Sequence, residues 1–153
     1  MFSRDAIAIL LIYVPACAFS QTAVPQTRTG HLSRVADLYV SANEFMLAFD
    51  RSKCGYVIKH KTPSTDILIR TELLSAFPAA AQEESLRVLA AVQPKAKAQG
   101  EELVQQVIAM VQREHKGSKR LACGFAAGMA AATHAGARNR WQSEVMRLRQ
   151  SDR

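Results

Sequence analysis

Apolar residues recur along most of the chain at three- and four-residue steps, and no stretch alternates apolar and polar positions long enough to make a strand. Leu32, Val35, Leu38, Tyr39, Ala42, Phe45, Met46 and Phe49 set one stripe on a first helix ending near Ser52. Thr62-Pro63 opens a second, with Ile67, Leu68, Leu73, Leu74 and Phe77 as its apolar positions, which stops before Pro78. A third starts near Pro78 and is expected to end or kink at Pro94, because proline lacks the amide that the preceding turn requires. A fourth carries Leu103, Val104, Val107, Ile108 and Val111 up to Gly117 as its C-cap. Ser118 caps a fifth, built mostly of alanine and glycine as far as Gly136, and Ala137 to about Gln150 forms a sixth. The expected fold is all-α, a compact bundle of about six helices over residues 31–153.

Ahead of that body the pattern changes. Arg4 precedes the apolar run from Ala6 to Val14, followed by Pro15 and the small residues Ala16, Cys17 and Ala18, in the order of a secretory signal peptide over residues 1–20. The run is short of the roughly 20 apolar residues a membrane span needs. Cleavage before Gln21 or Phe19 fits best, and lipid anchoring through Cys17 stands second. Residues 21–30, with Pro25, Gly30 and no periodicity, read as a tether. The compartment so implied is the periplasm or the exterior.

That compartment changes the reading of the cysteines. Once Cys17 is removed, Cys54 and Cys123 remain as an even pair where disulfides form, and a bridge between them is the expectation, with two buried thiols as its alternative. The chain's formal net charge is +7. Most of it gathers after Gln112, where nine Lys or Arg face Glu114, Glu144 and Asp152. Arg138, Arg140, Arg147 and Arg149, with Trp141 among them, are therefore the candidate partner-binding residues. An acidic protein surface or an anionic envelope polymer is the expected partner, ahead of nucleic acid, which an exported protein rarely meets. Gly124 and Gly128 present so little side-chain volume that a neighbouring helix, or a second copy of the chain in a homodimer, can approach there.

Chemistry is less visible. His31, His60, His115 and His134 show none of the paired spacings of a zinc site, and their expected roles are solvent contact or, for His115 and His134, a favourable place near a helix C-terminus. Glu83-Glu84 and Glu101-Glu102 are adjacent, so on a helix each pair diverges by about 100° and reads as a solvated face. Nucleophile elbow, phosphate loop and H-E-x-x-H are all missing from the sequence, and neither a cofactor nor a metal is expected.

The segment Ala122-Cys123-Gly124-Phe125-Ala126-Ala127-Gly128, on a helix of an exported chain whose other cysteine follows the first helix, resembles the small helical immunity proteins paired with type VI secretion amidases. That resemblance implies a periplasmic, disulfide-stapled bundle that blocks a peptidoglycan amidase by occupying its cleft. The functional expectation is a non-enzymatic exported binding protein, with inhibition of a secreted toxin as its most concrete form. The alternatives are a small envelope enzyme or accessory using His60, Asp66 or His115, and a secreted effector acting through the cationic last helix.

Overall fold

The computed structural model describes residues 28–52, 54, 61–114 and 118–151. The segment read as a signal peptide, most of the expected tether, Cys17, His60, His115 and Gly117 lie outside these residues. Within them the protein is all-helical, with four helices rather than six. α1 spans Arg28–Arg51, so Arg28, Thr29 and Gly30 belong to it and not to the tether. α2 spans Thr65–Leu68 and runs on through a π-helical turn, Ile69–Leu73, and a 3₁₀ turn, Leu74–Ala76. α3 spans Ala79–Glu114 and α4 spans Lys119–Ser151. No helix among the described residues is long and apolar enough to cross a membrane.

The difference in number has two causes. Pro94 sits inside α3 without ending it. Both Pro94 and Ala90, whose carbonyl loses its amide partner, face solvent, so water can take the freed bond. Leu89 and Ala96 are buried on either side, and this packing holds the helix through the proline. Gly136 likewise stands inside α4, exposed, where it costs about 1 kcal/mol relative to alanine but does not break the run. Helix starts are closer to expectation. The Ser118 hydroxyl accepts from the Leu121 amide at 3.4 Å. At α2 the cap is Ser64, which accepts from the Ile67 amide, two residues beyond Thr62.

α1 is the central helix and is covered on nearly every side. Its first half joins Leu68, Ile69, Leu73, Phe77, Leu89, Trp141 and Leu148 in one apolar cluster. Its second half joins Cys54, Val104, Val107, Cys123, Ala126 and Ala130 in another. A polar layer lies between them. Glu44, only 2% exposed, accepts from the Thr65 hydroxyl at 2.6 Å and from the Gln93 amide at 3.4 Å. The Asn43 amide donates to the Thr65 hydroxyl at 3.0 Å and to the Pro63 carbonyl at 3.2 Å. Arg51 lies 3.5 Å from the other Glu44 oxygen and 3.2 Å from Glu101 on α3. A buried carboxylate is tolerated only with such partners, so this layer fixes α2 and α3 against α1 in one register.

Cys54, just past the end of α1, is bridged to Cys123 near the start of α4, with Cα atoms 5.3 Å apart. The close helix approach occurs at neither glycine named for it. It occurs at Gly100 of α3, where an added Cβ would stand 3.1 Å from the Glu44 carbonyl oxygen and from the Phe45 Cα and amide nitrogen. Those atoms are main chain of the central helix and cannot swing aside. Gly100→Val is expected to lower unfolding free energy by about 1–3 kcal/mol in urea titrations followed by circular dichroism, despite glycine's poor helix propensity. An unchanged midpoint would show that α1 and α3 can separate at no cost.

Candidate functional site

The packed face of α4 is an alanine face: Ala122, Ala126, Ala127 and Ala130 are buried against α1 and α3 beside Cys123. Gly124 and Gly128 lie on the other side. Both are exposed, and a Cβ at either would meet nothing within 4 Å, which corrects the expectation that they mediate close packing inside the bundle. With Ala132 and Gly136, also exposed, they form a ridge of minimal side chains at four-residue steps, along one line of the helix surface. Neither their backbone conformation nor any neighbour in the bundle requires glycine at these positions. Each glycine costs about 1 kcal/mol relative to alanine in a helix interior, and nothing in the bundle offsets that cost here.

Two large apolar side chains flank the ridge at its N-terminal end. Leu121 is 50% exposed and Phe125 39%. With Ser118, Arg120 and Gly124 they line a shallow, open depression of ≈ 590 Å³. α4 carries six Lys or Arg side chains against a single acid, Glu144. The depression thus sets two apolar side chains beside one cation, Arg120.

The candidate residues of the last helical turns separate. Arg138, Arg140 and Arg149 are exposed. Arg147 is held by Glu144 through its Nε and Nη2 groups. The Arg147 hydrogen bonds first, and then the charges of Arg147 and His31, hold the Glu144 carboxyl below its usual range, against an opposing effect of burial. His31 reaches the same carboxylate at 3.4 Å and thereby ties the start of α1 to α4. Trp141 is buried, 3% exposed, with its ring 6.2 Å from that of Phe77. It is a core residue, which removes it from the partner-binding set. Its place in the 141, 145, 148 stripe was the available signal, since Val145 and Leu148 meet the same cluster.

A second feature lies on the flank of α4. His134 is not near a helix end, because α4 continues to Ser151, so the helix dipole does not account for it. Its ring stands 5.4 Å from the Tyr39 ring. The Tyr39 hydroxyl donates to Glu72 Oε2 at 3.1 Å. Burial, then the charge and hydrogen bond of Glu72, push the Tyr39 phenol up to about 12, with Arg138 pulling weakly the other way. These side chains, with Lys61 and Met46, surround a cleft of ≈ 260 Å³. Residues 39, 72 and 134 share no motif and meet only through the fold, which is why periodicity could not bring them together. Asp66, one of the three residues considered for an enzyme, is exposed in the first turn of α2 and does not line this cleft.

Among the described residues no three His, Cys, Asp or Glu side chains converge in a way that would hold a metal ion. No family model, curated protein or solved structure matches the chain.

Proposed function

We propose that this protein is a non-enzymatic binding protein of the periplasm or outer envelope, and that the outer face of α4 docks a partner protein. The supporting observation is the exposed ridge Gly124, Gly128, Ala132 and Gly136 bordered by Leu121 and Phe125. Small residues on a helix surface let another backbone come close, and the flanking Leu and Phe offer an apolar anchor of the kind that concentrates binding energy. The disulfide holds the opposite side of the same helix, at Cys123, so the pad is presented rigidly and little ordering cost falls on association. The cations of α4 select a partner whose rim is acidic. Inhibition of a secreted toxin, by covering its cleft with this pad, is the most concrete form of the reading.

The ridge makes the test selective. Gly124→Leu with Gly128→Leu adds side chains where nothing stands within 4 Å, so the isolated protein should keep or slightly raise its thermal midpoint. Its hold on a partner recovered from envelope extracts by the parent protein should fall by at least about tenfold. A double variant that retains the same partner undiminished excludes the α4 face, and a parent protein that retains none removes the reading itself.

A further inference from the structure

The cleft beside α4 shares no residue with the glycine ridge and its Leu121–Phe125 border, and has its own chemistry. Its lining carries charges of both signs: Lys61 from the segment before α2, Arg138 from α4 and Glu72 from the π turn. Three separate parts of the chain and the central helix contribute to it, so its composition is a product of the tertiary fold.

We propose that this cleft binds a small free α-amino acid, its ammonium group on Glu72 and its carboxylate on Lys61 and Arg138. A simple anion entering the cleft would meet the Glu72 carboxylate, and a simple cation would meet two cationic side chains. A ligand with both charges a few ångströms apart can set each one against its opposite, so that the attractions outweigh the repulsions. Glu72 is oriented in advance, since the Tyr39 hydroxyl holds its Oε2 and Tyr39 is itself fixed in the apolar cluster, 1% exposed. A phenol pushed up to about 12 remains a donor throughout the neutral range, so Glu72 stays an acceptor for the ligand's N–H groups. Met46 and the His134 ring form the less polar part of the lining, suited to a short aliphatic side chain. At ≈ 260 Å³ the cleft is smaller than the roughly 300–1,000 Å³ of sites for drug-sized ligands, a size that suits a small amino acid.

The experiment is a titration of the full disulfide-bonded protein with alanine, followed by the NMR signals of Tyr39, Glu72 and Arg138. Acetate and ethylammonium serve as the two half-ligands. Alanine is expected to shift these signals saturably at millimolar concentration or below, with each half-ligand weaker by at least about tenfold. Glu72→Gln and Arg138→Gln should each weaken alanine by about tenfold or more. Arg138 is exposed, so its substitution tests the site even if the Glu72 change disturbs the π turn. Absence of a saturable shift, acetate binding as tightly as alanine, or an Arg138→Gln protein that binds alanine like the parent would each overturn the assignment.

Discussion

Replacing Trp141 by alanine lowers the unfolding free energy by about 3–5 kcal/mol, the range for removing a buried large aromatic side chain. The ring is 3% exposed and packs in the cluster that joins α1, the α2 segment, α3 and the C-terminal half of α4. α4 has few other large side chains directed into that cluster: Leu148 is buried, while Val145 and Ala137 are only partly covered. The indole is therefore the main anchor of the helix beyond Gly136, and without it that segment is held chiefly by Leu148 and the Arg147–Glu144–His31 contacts. Circular dichroism in urea is the suitable readout, since Trp141 is the chain's single tryptophan and its substitution removes the fluorescence signal. Trp141→Phe, which keeps an aromatic ring near Phe77, should recover a large part of the loss. A Trp141→Ala protein within about 1 kcal/mol of the parent that had lost its partner would reverse the assignment and return the residue to the binding surface.

What could be read from the sequence follows from which signals are local. The stripe from Leu32 to Phe49 is a repeating feature of one helix, and it places the end of α1 within a residue while its start lies three residues earlier than read. The Cys54–Cys123 bridge was expected from parity and the compartment that the first 20 residues imply, and the two sulfurs are joined in the fold. The number of helices did not follow, because a proline or a glycine marks a weak point but does not say whether packing will carry the helix through it. At Pro94 and Gly136 packing does. The direction in which the small residues of α4 face was also beyond reach. Ala122, Ala126 and Ala130 lie one turn apart on one line, Gly124, Gly128 and Ala132 on another, and only the fold shows which line is buried. Glu44 interrupts an apolar stripe as though it were a surface residue, and its burial became visible only once Thr65, Gln93 and Arg51 were found around it. For the binding site the consequence is specific. The sequence drew attention to the arginines and Trp141, whereas the structure presents the glycine ridge with Leu121 and Phe125, two positions that periodicity alone would assign to a core.

Cys54→Ala, Cys123→Ala and the double variant should each be less stable than the parent by about 4 kcal/mol, and by nearly the same amount. The bridge closes a loop with a sequence separation of 69 residues, for which the loss of chain entropy in the unfolded state amounts to about 4 kcal/mol. Either single substitution removes all of that constraint, so the second removes nothing further except its share of packing. This non-additivity distinguishes a cross-link from two independently buried thiols, whose effects would sum. Both residues are buried, Cys54 at 0% and Cys123 at 1%, in a cluster with Phe49, Val104 and Ala126. Alanine rather than serine is therefore the proper replacement, because a buried hydroxyl would add a cost of its own. The expected fall in thermal midpoint is roughly 10–20 °C for a domain of this size. Single variants that differ little from the parent, and a double variant equal to their sum, would sink the bridge. The argument reaches function as well, because the bridged Cys123 immediately precedes the first glycine of the ridge: position 123 is buried in the bundle while Gly124 and Phe125 are exposed. A protein that lost the bridge yet stayed folded should bind its partner more weakly, the start of α4 being freer to fray and its pad costlier to order on contact.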